Sequence, residues 1–139
     1  RYRFLDGKVV LFDNIDTAFT YLNDETELFK VVNVPMTDNI KDYVELATKT
    51  AKEQKEYFTG PLENDVFQCS PMPWVTYTHI SHTNSGKKDN ATPLFDWGKY
   101  YEKDGKFYIP ISVQAHHSFV DGLHIGVFVE KLQRFFDEY

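Results

Sequence analysis

The chain has 139 residues, a formal net charge of −6, 42% hydrophobic residues and 17% aromatic residues. This length and apolar content suit one globular domain with its own core, residues 1–139, while the acidic balance argues against nucleic acid, whose phosphates call for a basic stripe. No apolar run approaches the roughly 20 residues of a membrane-spanning helix, no signal-peptide pattern opens the chain, and the single cysteine, Cys69, rules out an internal disulfide and a cysteine zinc site.

These properties lead us to expect a cytoplasmic protein without membrane contact. Arg1 opens directly in strand-like sequence with no methionine, which reads as the later part of a longer chain. Residues 2–5 and 8–12 flank Asp6-Gly7, a pair suited to a type I′ turn, and predict a hairpin. Residues 17–22 and 28–34 are strand candidates, the second stopped by Pro35. The period then changes: Ile40, Tyr43, Val44, Ala47, Ala51 and Phe58 recur at three- and four-residue steps. They predict a helix over 39–58, capped by Thr37 or Asp38 and ended by Gly60-Pro61, its charges forming a solvated face.

Residues 66–70 and 75–80 read as short strands around a rigid corner, Pro71-Met72-Pro73-Trp74. Polar residues 81–92 predict a loop. Residues 94–101 then form a strand, turned at Lys103-Asp104-Gly105-Lys106 into a long strand over 107–115. A final helix is expected over 123–137, with Ile125, Val127, Phe128, Leu132, Phe135 and Phe136 as its apolar positions. Two helices among more numerous strands imply an α/β fold, a two-layer sandwich with helices packed on a mixed sheet.

Chemistry concentrates in Ala115-His116-His117-Ser118-Phe119-Val120-Asp121-Gly122, where a strand ends and a helix begins. An imidazole there, with a carboxylate four residues on, suits a general base held by its surroundings. The alternatives are a capping aspartate beside a satisfied buried histidine, or a metal site. Metal ligation needs further ligands, and His79, His82 and His124 stand at no recognisable spacing, so no metal is expected.

Residues 110–126, with this block at their centre, closely resemble the active-site signature of the chloramphenicol acetyltransferase family. The same HHxxxDG core occurs in peptide-synthetase condensation domains, and an HxxxDG form in dihydrolipoyl acyltransferases. Ser70-Pro71-Met72-Pro73-Trp74, residues 93–101 and residues 132–139 also resemble the first family, so the likeness runs through essentially the whole chain. It implies a CoA-dependent acyltransferase fold and transfer of acetyl from acetyl-CoA to a hydroxyl of chloramphenicol or a related small alcohol. His117 would be the general base, Ser70 the hydrogen-bond donor to the tetrahedral oxyanion, and Asp121 a structural carboxylate paired with an arginine in a segment preceding Arg1. Without the resemblance, Ser70 is a turn serine beside a proline.

The resemblance also implies that Trp74 lines the pantetheine tunnel, and that Lys99 and Tyr100 lie near the 3′-phosphate and adenine of coenzyme A. Asp96, Ile80, His82 and Phe58 fall at acceptor-pocket positions. Asp96 stands where chloramphenicol-modifying members carry a threonine, and a carboxylate there repels a developing oxyanion unless protonated or turned away. The family further implies a homotrimer with sites between subunits. Two rivals remain: dihydrolipoamide acyl transfer, and a non-catalytic relative that binds CoA or a small molecule.

Overall fold

The computed structural model describes residues 1–59, 64–82 and 89–138. Asp6 and Gly7 both adopt positive φ, the signature of the type I′ turn, and join β1 (Tyr2–Leu5) to β2 (Lys8–Leu11). Next come β3 (Asp16–Asn23) and β4 (Leu28–Val34), an antiparallel pair in which Phe19 lies opposite Val32. Helix α1 (Ile40–Glu53) follows, then β5 (Val66–Cys69) and β6 (Leu94–Trp97). The short hairpin β7 (Tyr101–Lys103) and β8 (Lys106–Tyr108) turns at Asp104-Gly105, again with positive φ at both residues. β9 (Ile111–Gln114) and α2 (Gly122–Glu138) complete the chain.

Five strands form the main sheet in the order β4-β3-β5-β6-β9. The β3–β5 and β5–β6 pairs are parallel and the outer pairs antiparallel, so the sheet is mixed as expected. Successive side chains alternate across a strand, so the register sorts them between two faces. Phe19 and Tyr21 share one face with Val32 and Val34, against which Tyr43, Leu46, Ala47 and Ala51 of α1 pack. Phe67 and Phe95 lie on that same face, and Phe95 meets Phe128 of α2 at 5.3 Å between ring centroids. Both helices therefore cover one side. The opposite face carries Gln68, Leu94, Asp96 and Ser112.

Several boundaries depart from the sequence reading. The cap of α1 is Asn39, whose Oδ1 accepts from the Asp42 amide at 2.9 Å, while Thr37 donates its hydroxyl to the Asn39 carbonyl. α1 ends at Glu53 because the chain turns to cover the edge of β4. There the Gln54 side-chain amide donates to Val31 O at 2.8 Å, and the Val31 amide donates to Tyr57 O at 2.9 Å. Phe58 is thus outside the helix, and Gly60-Pro61 lies outside the described residues. Ile40 and Val44 are more than half exposed, while Tyr43, Leu46, Ala47 and Ala51 make the contact with the sheet.

Residues 75–80 are not a strand. Pro71 and Pro73 supply no N–H, and beyond an isolated bridge between Met72 and Gly98 the segment leaves the ladder. The Val75 carbonyl instead accepts from the Lys99 amide at 2.7 Å. Gly98 permits this crossing: a Cβ there would stand 2.6 Å from Val75 O and 2.9 Å from Pro110 Cγ. Residues 94–101 accordingly split into β6 and β7, and residues 107–115 split into β8 and β9 around Pro110.

Candidate active site

The HHxxxDG block follows β9 as a tight turn. The amides of Phe119 and Val120 donate to His116 O at 3.0 and 3.1 Å. The N-terminal hairpin braces this turn from below. Phe4 packs edge-on to His116 at 5.2 Å, and Phe119 lies against both Phe4 and Tyr2, at 4.8 and 5.7 Å. His116 is thereby a packing residue, while the next imidazole, His117, is exposed.

His117 Nδ1 lies 3.2 Å from the Val120 carbonyl oxygen. A carbonyl only accepts, so Nδ1 carries a proton, and in the neutral ring Nε2 keeps its lone pair. This is the tautomer a proton acceptor needs, held by the backbone of its own turn. Asp121 does something different. Its Oδ1 accepts from the amides of Leu123 and His124 at 3.0 and 3.2 Å, capping α2, and pairs with His124 Nδ1 at 2.8 Å. The His124 amide, with Leu123 and the imidazole, lowers the Asp121 pKa below the usual carboxylate range. Among the described residues, the partners of the Asp121 carboxylate are therefore Leu123 and His124.

Ser70 directly follows β5, and its amide donates to Phe95 O at 2.9 Å. Since Cys69 is level with Phe95, Ser70 comes beside Asp96 on the helix-free face, and Ser112 lies opposite Asp96 on the other side. The result is a polar row, Ser70–Asp96–Ser112, across three strands. Among the described residues no hydrogen bond joins Ser70 to His117. The ladder separates them, because Ser70 is level with Ser112 whereas His117 lies beyond Gln114, the end of β9.

Asp96 is almost fully buried, with 1% of its surface exposed. Its Oδ1 accepts from His82 Nε2 at 2.9 Å, and its Oδ2 has no partner among the described residues. Burial, and then the Asp96 charge, pushes the Cys69 thiol up to about 11. The same two causes raise the Tyr77 phenol. The sequence placed Asp96 and His82 separately and did not see them as a pair; only the crossing at Gly98 brings their segments together. Ile80 is half-buried on the same segment. Phe58, 64% exposed, lies beyond the β4 edge, three strands from β6, and does not join this group within the chain.

Trp74, Lys99 and Tyr100 stand on two segments that meet at one end of the sheet. The bond from the Lys99 amide to Val75 O fastens the β6–β7 connection to the turn carrying Trp74. Trp74 is 57% exposed and edge-on to Phe29, and Tyr100 is exposed and edge-on to Phe107. One cation and two open aromatic faces at one end of a sheet can hold a phosphate and a flat ring. No group of three or more His, Cys, Asp or Glu residues able to hold a metal occurs among the described residues.

The profile of the chloramphenicol acetyltransferase family matches residues 1–133. A chloramphenicol acetyltransferase of Klebsiella sp. is 27% identical over 137 residues, covering 96% of this chain and 63% of that protein. One from Campylobacter coli is 32% identical over 136 residues, covering 92% and 64%. The chain thus spans a little under two thirds of the length of these relatives. Among solved structures, a chloramphenicol acetyltransferase superposes with a TM-score of 0.85 at 26% identity, over 97% of this chain and 68% of that one. A dihydrolipoamide acetyltransferase of Azotobacter vinelandii shares the fold, with a TM-score of 0.60 at 16% identity, over 94% of this chain and 58% of that one. On the extent of the profile match, this chain belongs to the chloramphenicol acetyltransferase family.

Proposed function

We propose that the protein is an acetyl-CoA-dependent O-acetyltransferase in which His117 is the general base. The observation that carries this reading is the bond between His117 Nδ1 and the Val120 carbonyl, which leaves Nε2 free to take a proton. The acceptor hydroxyl gives its proton to Nε2 as its oxygen attacks the thioester carbonyl. The tetrahedral oxyanion takes a hydrogen bond from the Ser70 hydroxyl, and collapse expels the coenzyme A thiolate, which recovers the proton from His117. Trp74, Lys99 and Tyr100 are assigned to coenzyme A, while Asp96, Ile80, His82 and Phe58 are assigned to the acceptor. Asp121 is assigned to hold the turn. The acceptor is a small alcohol of the chloramphenicol type.

The separation of Ser70 from His117 along the ladder, together with exposed Leu123, Val127, Phe135 and Phe136 on α2, supports a homotrimer with sites between protomers. Phe58 then serves a neighbour's site. A second reading, binding without turnover, draws on the Asp96 carboxylate beside Ser70, where an oxyanion is expected to form.

His117→Ala decides between them. It lowers CoA release from acetyl-CoA in the presence of chloramphenicol by about 10²- to 10⁴-fold, without loss of folded protein since the ring is exposed. Full activity in this variant overturns the base assignment. CoA binding by calorimetry with no turnover in the parent protein establishes the second reading.

A further inference from the structure

We propose that Arg3 and Phe4 are positioning residues, through which the β1–β2 hairpin fixes the tautomer of His117 from outside the main sheet. The inference deepens the acetyltransferase reading and rests on it only where it concerns catalytic rate. The hairpin is a separate two-stranded sheet, and among the described residues no main-chain hydrogen bond joins residues 1–12 to the five-stranded one. Its side chains must therefore place it. Arg3 does so on one side. It is 2% exposed, and its Nε and Nη2 donate to Asn64 O and Val66 O, both at 2.7 Å, while Nη1 donates to Tyr2 O of its own strand at 2.8 Å. A guanidinium can fan its donors to three carbonyls in this way, and an ammonium cannot match the geometry. Burial opposes the Arg3 charge, and the charge of Asp65 favours it.

Alternation along β1 turns Tyr2 and Phe4 the other way, and there they meet the HHxxxDG turn. Phe4 packs on both His116 and Phe119, at 5.2 and 4.8 Å between ring centroids, and Tyr2 stacks on Phe119. These contacts fall on the hub of the turn. His116 O accepts from the Phe119 and Val120 amides, and His116 Nδ1 accepts from the Ser118 amide at 3.2 Å. The Val120 carbonyl that selects the His117 tautomer thus belongs to a turn whose two packed rings are both set by the hairpin. Its distance from His117 Nδ1, 3.2 Å, is at the long end of the hydrogen-bond range, so a small displacement breaks the bond. His117 is exposed; once the bond is lost, water replaces it and neither tautomer is selected.

Long-range ¹⁵N–¹H correlation spectra of the full chain are expected to show the proton of neutral His117 on Nδ1. Phe4→Ala, at a half-buried position that the fold tolerates, mixes the two tautomers. The same variant lowers kcat for acetylation of chloramphenicol about tenfold and leaves both KM values within about twofold, since the base is misplaced and the binding groups are not. Phe4→Leu refills the contact and restores most of the rate. Arg3→Met cuts the tie to β5 and mixes the tautomers as Phe4→Ala does, and Arg3→Lys does not rescue them. Val32→Ala is the control: it weakens the core elsewhere and keeps the proton on Nδ1. A tautomer unchanged in Phe4→Ala, or already mixed in the parent, overturns the proposal, as does equal mixing in Val32→Ala. Mixing in Phe4→Ala with kcat unchanged overturns the base assignment of His117 and leaves this inference standing.

Discussion

The two helices carry similar amphipathic patterns, yet the chain treats them differently. α1 buries Ala47 and Ala51 against Val32 and Val34, and its ends are tied by Asn39 and Gln54. α2 has no fully buried residue among those described, and its ring contact with the sheet is Phe128 on Phe95. The α1 half is the stability core, whereas the α2 half carries the HHxxxDG turn on a lightly packed support. Amphipathicity reports that a helix has an apolar side; it does not report what lies against it.

This contrast can be broken by experiment. The largest effect is expected in the α2 half and on activity alone. Ser70→Ala lowers the maximal rate by roughly 10²- to 10³-fold with little change in KM, because an oxyanion donor acts in the transition state. An unchanged kcat in steady-state assays removes Ser70 from the mechanism. The α1 half responds in stability instead. Val32→Ala leaves a cavity at a fully buried position and lowers the unfolding free energy by about 2 to 3 kcal/mol in denaturant titration. Phe128→Ala costs less, since its ring is half-buried; equal losses at the two positions dissolve the distinction.

Two weaker tests sharpen it. Asn39→Ala removes the α1 cap and costs about 1 kcal/mol, read as a lower midpoint of thermal unfolding. pH separates the remaining contributions. The Cys69 thiol, raised from 9.0 to about 11, binds its proton more tightly in the folded protein. Its contribution is therefore complete below pH 9 and is lost as the pH climbs through about 11; Cys69→Ala removes that alkaline slope. Asp121 acts oppositely. Its lowered pKa means that the α2 cap is intact above the ordinary carboxylate range and lost as the pH falls through the depressed value. Fraying of α2 seen by NMR on acidification, absent in Asp121→Ala, checks it.

Much of this was legible in the residues themselves. Asp6-Gly7 and Asp104-Gly105 specified their hairpins because positive φ is a local demand that few residues meet. β3 and β4 followed from apolar β-branched runs, and α2 from Asp121-Gly122 and the period after it. The misplaced elements share a cause. The end of α1 depends on Gln54 reaching Val31, and the loss of a strand over 75–80 depends on Val75 being taken by Lys99. Each is a bond between segments more than twenty residues apart, invisible to any local pattern.

The same division holds for the site. The order of residues alone determined that His117 follows a strand and that Asp121 begins a helix, whereas the hold of the Val120 carbonyl on the imidazole, though local to one turn, is seen only in the structure. Only tertiary structure decided that Asp96 would be buried and bound to His82, that Ser70 would stand beside it, and that Trp74, Lys99 and Tyr100 would share one end of the sheet. Those neighbours are set by strand order and by a crossing that Gly98 alone is small enough to allow. Short-range chemistry is written in spacing, whereas long-range chemistry waits for the sheet to close.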